Sequence, residues 1–303
     1  MSGHERRAPK FPLRLDALSK RAATVPSPAS ARTSPRAGPA PSSPSSPPKL
    51  QATAAAARAV LRPQRLVEHA HVDAARRVAP SGIGLDSADV RLRMVQRLRG
   101  AGVKHETVLH AMAAVPRHRF VDAALVTQAY EDTSLPIGWE QTISKPSVVA
   151  RMIELLMGGA NARRSGGLGQ VLEIGTGCGY QAAVLSALAR QVISVERLRP
   201  LHDKARELLA PLRPANLRLV YGDGMRGHPP NAPYDSIIAA AGGDALPSVW
   251  LEQLAVGGRL VSPVRQPAGD RQVLMVVDRT EHGYEHNAYE AVHFVPLKSG
   301  LVA

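Results

Sequence analysis

Three glycines at alternate positions, Gly175, Gly177 and Gly179, separate a short apolar run from a segment whose apolar residues recur at helical spacing. The apolar run, residues 171–174, has the length and composition of a buried strand. Without Cβ atoms, the backbone can turn tightly and approach a ligand closely, and the helix that follows presents unpaired N–H groups. This order of strand, glycine turn and helix predicts a loop that binds a nucleotide-containing cofactor.

Two residues beside the loop distinguish between classes of cofactor. The dinucleotide fingerprint G-x-G-x-x-G requires a small residue where this chain has Tyr180. Glu173 lies just before the loop, where it would repel a pyrophosphate but suits a ligand with a cationic group. We therefore expect S-adenosylmethionine, with S-adenosylhomocysteine as the product. Glu173 would face the ammonium group, and Thr176 would contact the cofactor together with the three glycines.

Acidic residues also follow the next two predicted strands. Residues 191–196 form an apolar run that ends in Glu196, and residues 217–221 lead into Asp223 and Gly224. The carboxyl ends of parallel strands meet at one edge of a sheet, so these residues should lie near the glycine loop. Glu196 is then placed to accept hydrogen bonds from ribose hydroxyls. Three acidic or glycine-bearing strand ends in register favour a cofactor site over a simple tight turn.

Ser144 is the candidate residue for contact with a substrate. It lies directly before a helix predicted for residues 147–157, and Pro146 is harmless in the first helical turn. A serine in this position is typical of a helix N-cap, which is the structural interpretation of Ser144. The functional interpretation places its hydroxyl beside the cofactor loop, near the methyl group that is transferred. The local sequence leaves both interpretations open.

The elements that position these residues follow an α/β pattern. Parallel strands are predicted at residues 171–174, 191–196, 217–221, 235–240 and 259–264, and an antiparallel pair at residues 271–278 and 290–295. A helix predicted for residues 247–254 should be ended by Gly257 and Gly258. The pattern predicts a Rossmann-like methyltransferase fold, with a mostly parallel sheet and an antiparallel pair at its edge.

Residues 1–85 differ in composition from the remainder. They hold 14 Lys and Arg against 4 Asp and Glu, and 12 of the 25 prolines, whereas the rest of the chain holds 24 against 21. We expect a disordered basic extension here and a methyltransferase domain at residues 86–303. The Arg- and Ser-rich composition resembles a transit peptide, but a solvated tail is favoured. A basic tail can contact nucleic acid, yet aromatic residues are not interleaved, so we expect no nucleic-acid partner.

Several further observations restrict the class of protein. No segment approaches the roughly 18 apolar residues that span a bilayer, and no signal-peptide core is found near Met1. Cys178 is the only cysteine, so no internal disulfide can form. We therefore expect a cytoplasmic protein without a membrane partner. Because neither H-E-x-x-H nor paired C-x-x-C occurs, we also expect no metal.

Several segments together resemble the protein-L-isoaspartate O-methyltransferases, a family of carboxyl methyltransferases that repair aged proteins. The segments are A-V-P-R at 114–117, L-P-I-G at 135–138, Q-T-I-S at 141–144, the glycine loop, G-D-G at 222–224 and F-V-P-L at 294–297. The Thr-Ile-Ser segment is specific to that family, whereas most methyltransferases share the glycine loop. The resemblance extends over residues 86–303.

The resemblance implies a substrate and a reaction. The substrate would be the free α-carboxylate of an L-isoaspartyl residue in a damaged protein or peptide, and we expect the enzyme to be a monomer. The family's active-site serine falls on Ser144, and Thr142 and Ile143 are implied as cofactor contacts.

The chemistry agrees with this resemblance. A carboxylate is already ionised at pH 7, so no general base is needed and the protein would mainly position two reactants. Ser144 would then donate a hydrogen bond to the carboxylate. Two alternatives remain at this point: a methyltransferase acting on RNA or a small molecule, and a non-catalytic binding protein.

Overall fold

The computed structural model describes residues 88–266, 269 and 271–303 of the chain. The predicted extension, residues 1–85, lies outside the described residues. The α-helices of the described part are α1 (Ala88–Gly100), α2 (Glu106–Ala114), α3 (Pro146–Met157), α4 (Ala160–Ser165), α5 (Tyr180–Ser186), α6 (Arg199–Leu209) and α7 (Ser248–Glu252). None of these helices is both long and apolar enough to cross a membrane.

The strands of the same part belong to one large sheet and one hairpin. They are β1 (Leu135–Gly138), β2 (Gln141–Ile143), β3 (Gln170–Ile174), β4 (Gln191–Glu196), β5 (Leu217–Tyr221), β6 (Tyr234–Ala239), β7 (Leu254–Arg265), β8 (Gln272–Thr280) and β9 (Gly283–Val292). Strands β1 and β2 pair antiparallel as a separate hairpin.

The large sheet has the strand order β5-β4-β3-β6-β7-β8-β9. Its first five strands are parallel, and β8 and β9 are added antiparallel at one edge. This arrangement confirms the predicted fold. From β3 the chain first builds outward to β4 and β5, and then returns to place β6 on the other side of β3. A crevice opens at the carboxyl ends of the strands at such a switch point.

The central strands are buried on both faces of the sheet. On one face, Val171 and Val192 belong to a core cluster that also includes residues from helices α1 to α6. On the other face, Leu172 and Ile193 pack in a second cluster with Trp250 of α7. Successive side chains of a strand point to opposite faces, so uninterrupted apolar runs supply both clusters at once.

The predicted elements differ from the structure between α7 and β7. The helix predicted for residues 247–254 ends at Glu252, and Gly257 and Gly258 lie inside β7 instead of ending a helix. The register of β7 against β6 shifts there. A Cβ on Gly258 would lie only 3.0 Å from the carbonyl oxygen of Asp235. The glycines therefore allow close backbone packing within the sheet.

The last strand also differs from its prediction. It was expected at residues 290–295 but is β9, Gly283–Val292, whose residues are mostly exposed. An exposed edge strand lacks the apolar run that would identify it in a sequence. The segment after β9 instead pairs with Gly242, whose N–H and C=O bond to Val295 and Leu297 at 2.8 Å each.

Candidate active site

A cavity of about 360 Å³ lies at the carboxyl ends of β3, β4 and β6, beside the switch point. We call it the main cavity, and its volume is typical of small-molecule sites. Most of the predicted site residues line it: Thr142, Ile143, Ser144, Gly175, Thr176, Gly177, Glu196 and Gly224. Glu173, Gly179 and Asp223 lie outside its wall.

The glycine loop after β3 forms one wall of the main cavity. Its three glycines, Gly175, Gly177 and Gly179, have φ values of 89°, 56° and 91°, in the region that favours glycine. A Cβ on Gly179 would also lie 2.8 Å from Leu209 Cδ1 of α6. Gly179 is therefore needed for the turn and for the packing of the loop against α6, on the side of the loop away from the cavity.

Glu196 joins the end of β4 to the glycine loop. Its Oε2 accepts a hydrogen bond from Gly177 N–H at 2.9 Å, and its Oε1 accepts one from Leu198 N–H at 3.0 Å. The side chain is only 5% exposed, yet it lines the main cavity. A carboxylate has about four acceptor positions, so Glu196 can bind the loop and still accept hydrogen bonds from a ligand.

Glu173 lies beneath the loop and is fully buried. Its Oε2 accepts a hydrogen bond from Ser194 Oγ at 2.5 Å, and Ser194 Oγ is 2.6 Å from Thr176 Oγ1. Burial raises the pKa of Glu173 to about 8, because an ionised carboxylate would be poorly solvated there. At pH 7 the carboxyl group is therefore mostly neutral. Its contact with an ammonium group stays a prediction.

Two buried polar atoms beside the loop bear on the fit of a cofactor. Glu173 Oε1 and Gln181 Nε2 make no hydrogen bond of regular geometry within the described part of the chain, although the Gln181 side chain is close enough to the Glu173 carboxyl group to oppose the rise of its pKa. Gln181 lines the main cavity, although the sequence analysis did not select it. Buried polar atoms are almost always paired in folded proteins. The site is thus suited to a ligand that brings a polar group to this end of the cavity.

The carboxylate of Asp223 accepts hydrogen bonds from two backbone N–H groups. Its Oδ1 accepts a hydrogen bond from Met225 N–H at 2.9 Å, and its Oδ2 accepts one from Gly300 N–H at 2.8 Å. Val302, close to Gly300 in the chain, lines the main cavity and donates its N–H to the carbonyl of Arg197. Asp223 therefore holds a cavity-lining segment in place, and its own contact with a cofactor stays a prediction.

The β1–β2 hairpin covers another side of the main cavity. Its turn residues, Trp139 and Glu140, have φ values of 50° and 58°, which are uncommon for residues other than glycine. Both residues line the cavity, and Trp139 is 49% exposed. The hairpin thus places a large aromatic side chain at the mouth of the site.

Ser144 follows β2 and lies where the main cavity meets a second cavity of about 620 Å³. Of the two interpretations of Ser144, the structure excludes the helix N-cap, because the N-cap residue of α3 is Lys145. Asp132 serves the helix start instead: its Oδ1 accepts a hydrogen bond from Ser147 N–H at 2.8 Å. The Ser144 hydroxyl makes no hydrogen bond to any residue that the structure describes.

Arg117 fixes the backbone at Ser144. It is fully buried, its Nη2 donates to the carbonyl of Ser144 at 2.8 Å, and its Nε donates to the carbonyl of Ala129 at 2.7 Å. The guanidinium carbon lies 4.8 Å from the ring centroid of Tyr180, at the start of α5. Arg117 therefore connects Ser144 to the helix that follows the glycine loop. The sequence alone indicates no role for Arg117, because no spacing rule relates residues 117 and 144.

Sequence reasoning also missed the apolar part of the wall, which includes Leu198, Leu201 and Val302. Leu198 and Leu201 closely follow Glu196, so their place after an acidic strand end could have indicated them. Val302 reaches the cavity because its segment is bonded to Arg197 and to Asp223. Nothing in the local sequence around Val302 indicates that contact.

Comparison with known proteins shows the family to which this chain belongs. The family model described as protein-L-isoaspartate(D-aspartate) O-methyltransferase matches residues 90–301, which are most of the chain and include the lining of both cavities except Val302. The chain belongs to this family. A protein-L-isoaspartate O-methyltransferase of Methylibium petroleiphilum is 55% identical over 301 residues, covering 99% of each chain. That of Leptothrix cholodnii is 60% identical over 242 residues, covering 79% of this chain and 84% of the relative.

One solved structure agrees with membership of the protein-L-isoaspartate O-methyltransferase family, and a second supports the fold. A structure of that name has a TM-score of 0.62 at 30% identity, over 70% of this chain and 67% of the other. A putative protein-L-isoaspartate O-methyltransferase from Plasmodium falciparum, in complex with S-adenosyl-L-homocysteine, has a TM-score of 0.57 at 22% identity. It covers 68% of this chain and 97% of its own, and it supports the fold alone.

Proposed function

We propose that this chain transfers the methyl group of S-adenosylmethionine to the free α-carboxylate of L-isoaspartyl residues, and so initiates the repair of damaged proteins. The family match and the 55% identity over nearly the whole chain support this reaction. The position of Ser144 in the walls of both cavities is the structural observation that carries the proposal. A hydroxyl at this junction can contact a substrate that reaches the cofactor from the second cavity.

The residues of the main cavity fit S-adenosylmethionine. The glycine loop allows close backbone approach, and Glu196 has acceptor capacity for the ribose hydroxyls. The amide of Gln181, which lines the cavity, is suited to the amino-acid end of the cofactor. We propose further contacts from Thr142, Ile143, Thr176 and Gly224, which all line the cavity. When bound, the cofactor supplies a methyl group on a cationic sulfur.

The substrate carboxylate needs no activation by the protein. It is ionised at pH 7, so its oxygen can form the bond to the methyl carbon while the electron pair of the carbon–sulfur bond stays with sulfur. The product is a methyl ester, and no proton is transferred. The protein's role is to hold the reacting atoms in line.

Three features near Ser144 would perform this positioning. The Ser144 hydroxyl donates a hydrogen bond to the substrate carboxylate. Arg117 fixes the backbone of Ser144, because its Nη2 donates to the Ser144 carbonyl oxygen at 2.8 Å. No Asp or Glu belongs to the described lining of the second cavity. A substrate carboxylate therefore meets no like charge there.

Methyl transfer from labelled S-adenosylmethionine to an isoaspartyl peptide and to its aspartyl twin tests the proposal. We expect a base-labile methyl ester on the isoaspartyl peptide and none on the twin. Equal labelling of both peptides would contradict the substrate assignment. Labelling of RNA or a small molecule, with neither peptide modified, would favour a different methyltransferase.

We further propose that the enzyme acts in the cytoplasm as a monomer. The lone Cys178 is in keeping with a reducing compartment. Residues from a single chain line both cavities, so the site requires no second copy. Light scattering at the assay concentration should give the mass of one chain, and a stable dimer would contradict the monomer.

A further inference from the structure

The second cavity carries an uneven distribution of charge. Lys145, Arg271 and His293 line it, whereas no Asp or Glu belongs to its described lining. All three side chains are exposed. None of them forms an ion pair with another described residue. We call this cavity the basic groove.

Acidic residues close to the groove are already engaged elsewhere. On α3, the side chain of Arg151 pairs with Glu154 and with Glu290, both at 2.8 Å. Asp132 accepts hydrogen bonds from the backbone N–H and the hydroxyl of Ser147, again at 2.8 Å. These carboxylates keep their negative charge, but none of them lies within ion-pair distance of Lys145 or Arg271.

The groove is continuous with the reacting end of the site. Ser144, which lines both cavities, is followed directly in the chain by Lys145. An extended peptide advances about 3.3 Å per residue. With the isoaspartyl carboxylate at Ser144, the side chains of the flanking residues would therefore lie within reach of the groove's cations.

We propose that the basic groove selects polypeptides that carry Asp or Glu beside the isoaspartyl residue. This inference rests on the proposed function and specifies its substrate class. Lys145 and Arg271 supply the positive charge, and His293 adds a ring N–H donor. Charge complementarity of this exposed kind acts mainly on encounter and specificity, and it is weakened by salt.

Three isoaspartyl peptides of equal length test the proposal, with Glu, Ala or Lys at the flanking positions. With the full chain at low ionic strength, kcat/KM for the Glu peptide should exceed that for the Ala peptide by about three- to tenfold, mainly through KM. The Lys peptide should be the poorest substrate. Raising the salt concentration should reduce the differences.

Variants distinguish the contribution of the basic groove to this preference from that of the basic extension, since both carry positive charge that attracts acidic peptides. The double substitution Lys145→Gln and Arg271→Gln should reduce the Glu-to-Ala ratio to about twofold or less. Lys145→Arg keeps the charge and should preserve the ratio. Arg190→Gln is the matched control, because Arg190 is an exposed residue at the amino end of β4, whereas the cavities lie beyond the carboxyl ends of the parallel strands.

The outcomes distinguish this inference from the proposed function. Equal kcat/KM for the three peptides, or a ratio that survives the double substitution, would overturn the groove's preference while leaving the reaction intact. A protein that methylates none of the peptides would contradict the proposed function and this inference together. Competition by a single-stranded RNA oligonucleotide that the double variant no longer binds would assign the groove to nucleic acid and overturn the proposal.

Discussion

At the residue scale, Glu196 has two roles in the site. It fixes the glycine loop through Gly177 N–H and lines the main cavity. Glu196→Gln should weaken binding of S-adenosylhomocysteine by about 1.5–3 kcal/mol, because the side chain loses its charge and one acceptor oxygen. Isothermal titration calorimetry measures this loss. A ligand analogue without ribose hydroxyls should show a smaller loss, and equal affinity of variant and parent would remove Glu196 from the site.

Glu173 makes stability depend on pH. Burial raises its pKa from 4.5 to about 8 in the folded protein, so the folded state binds a proton that the unfolded chain releases. Its contribution to stability is complete below the unfolded pKa and is lost as the pH rises towards 8, by up to about 1.4 kcal/mol per pH unit. Glu173→Gln cannot ionise and should flatten this decline.

Urea unfolding of parent and Glu173→Gln at several pH values between the two pKa values measures the difference in slope. Glu281→Gln is a suitable control, because Glu281 is exposed in the turn between β8 and β9. Identical slopes for parent and Glu173→Gln would show that Glu173 is ionised in the folded state.

At the scale of elements, the site is built where a hairpin, a glycine loop and the start of α3 meet. The bounds of β4 and β5 followed from their apolar runs and acidic ends. The β1–β2 hairpin could not be predicted from the sequence, because Trp139 and Glu140 are not the residues that usually form such a turn. Glu173 and Asp223 were predicted as ligands from their places at strand ends. The burial of Glu173 and the backbone partners of Asp223 depend on packing, which residue spacing does not reveal.

Trp139 offers a direct probe of the hairpin. The chain has two tryptophans, and Trp250 is fully buried while Trp139 is 49% exposed at the mouth of the main cavity. Binding of S-adenosylhomocysteine should shift the fluorescence of Trp139 to shorter wavelength, because the ring loses contact with water. Trp139→Phe should abolish the shift, whereas an unchanged shift in this variant would assign it to Trp250.

At the scale of the whole molecule, both cavities belong to the part of the chain after the basic extension. Deleting residues 1–85 should leave methyl transfer and melting temperature nearly unchanged, because the segment is too poor in large apolar residues to bury much surface. Assays of the full and shortened chains on the same isoaspartyl peptide check this. A shortened chain that fails to fold would show that the extension packs on the domain.

The central claim is that Ser144 positions the substrate carboxylate, and kcat/KM of Ser144→Ala on an isoaspartyl peptide tests it most directly. Losing one hydrogen bond to a charged group should lower kcat/KM about ten- to a hundredfold. Melting temperature and affinity for S-adenosylhomocysteine should match the parent, because Ser144 does not cap α3. Ser248→Ala, an exposed change on α7 outside both cavities, should behave like the parent. Parent-level kcat/KM in a well-folded Ser144→Ala enzyme would contradict the claim.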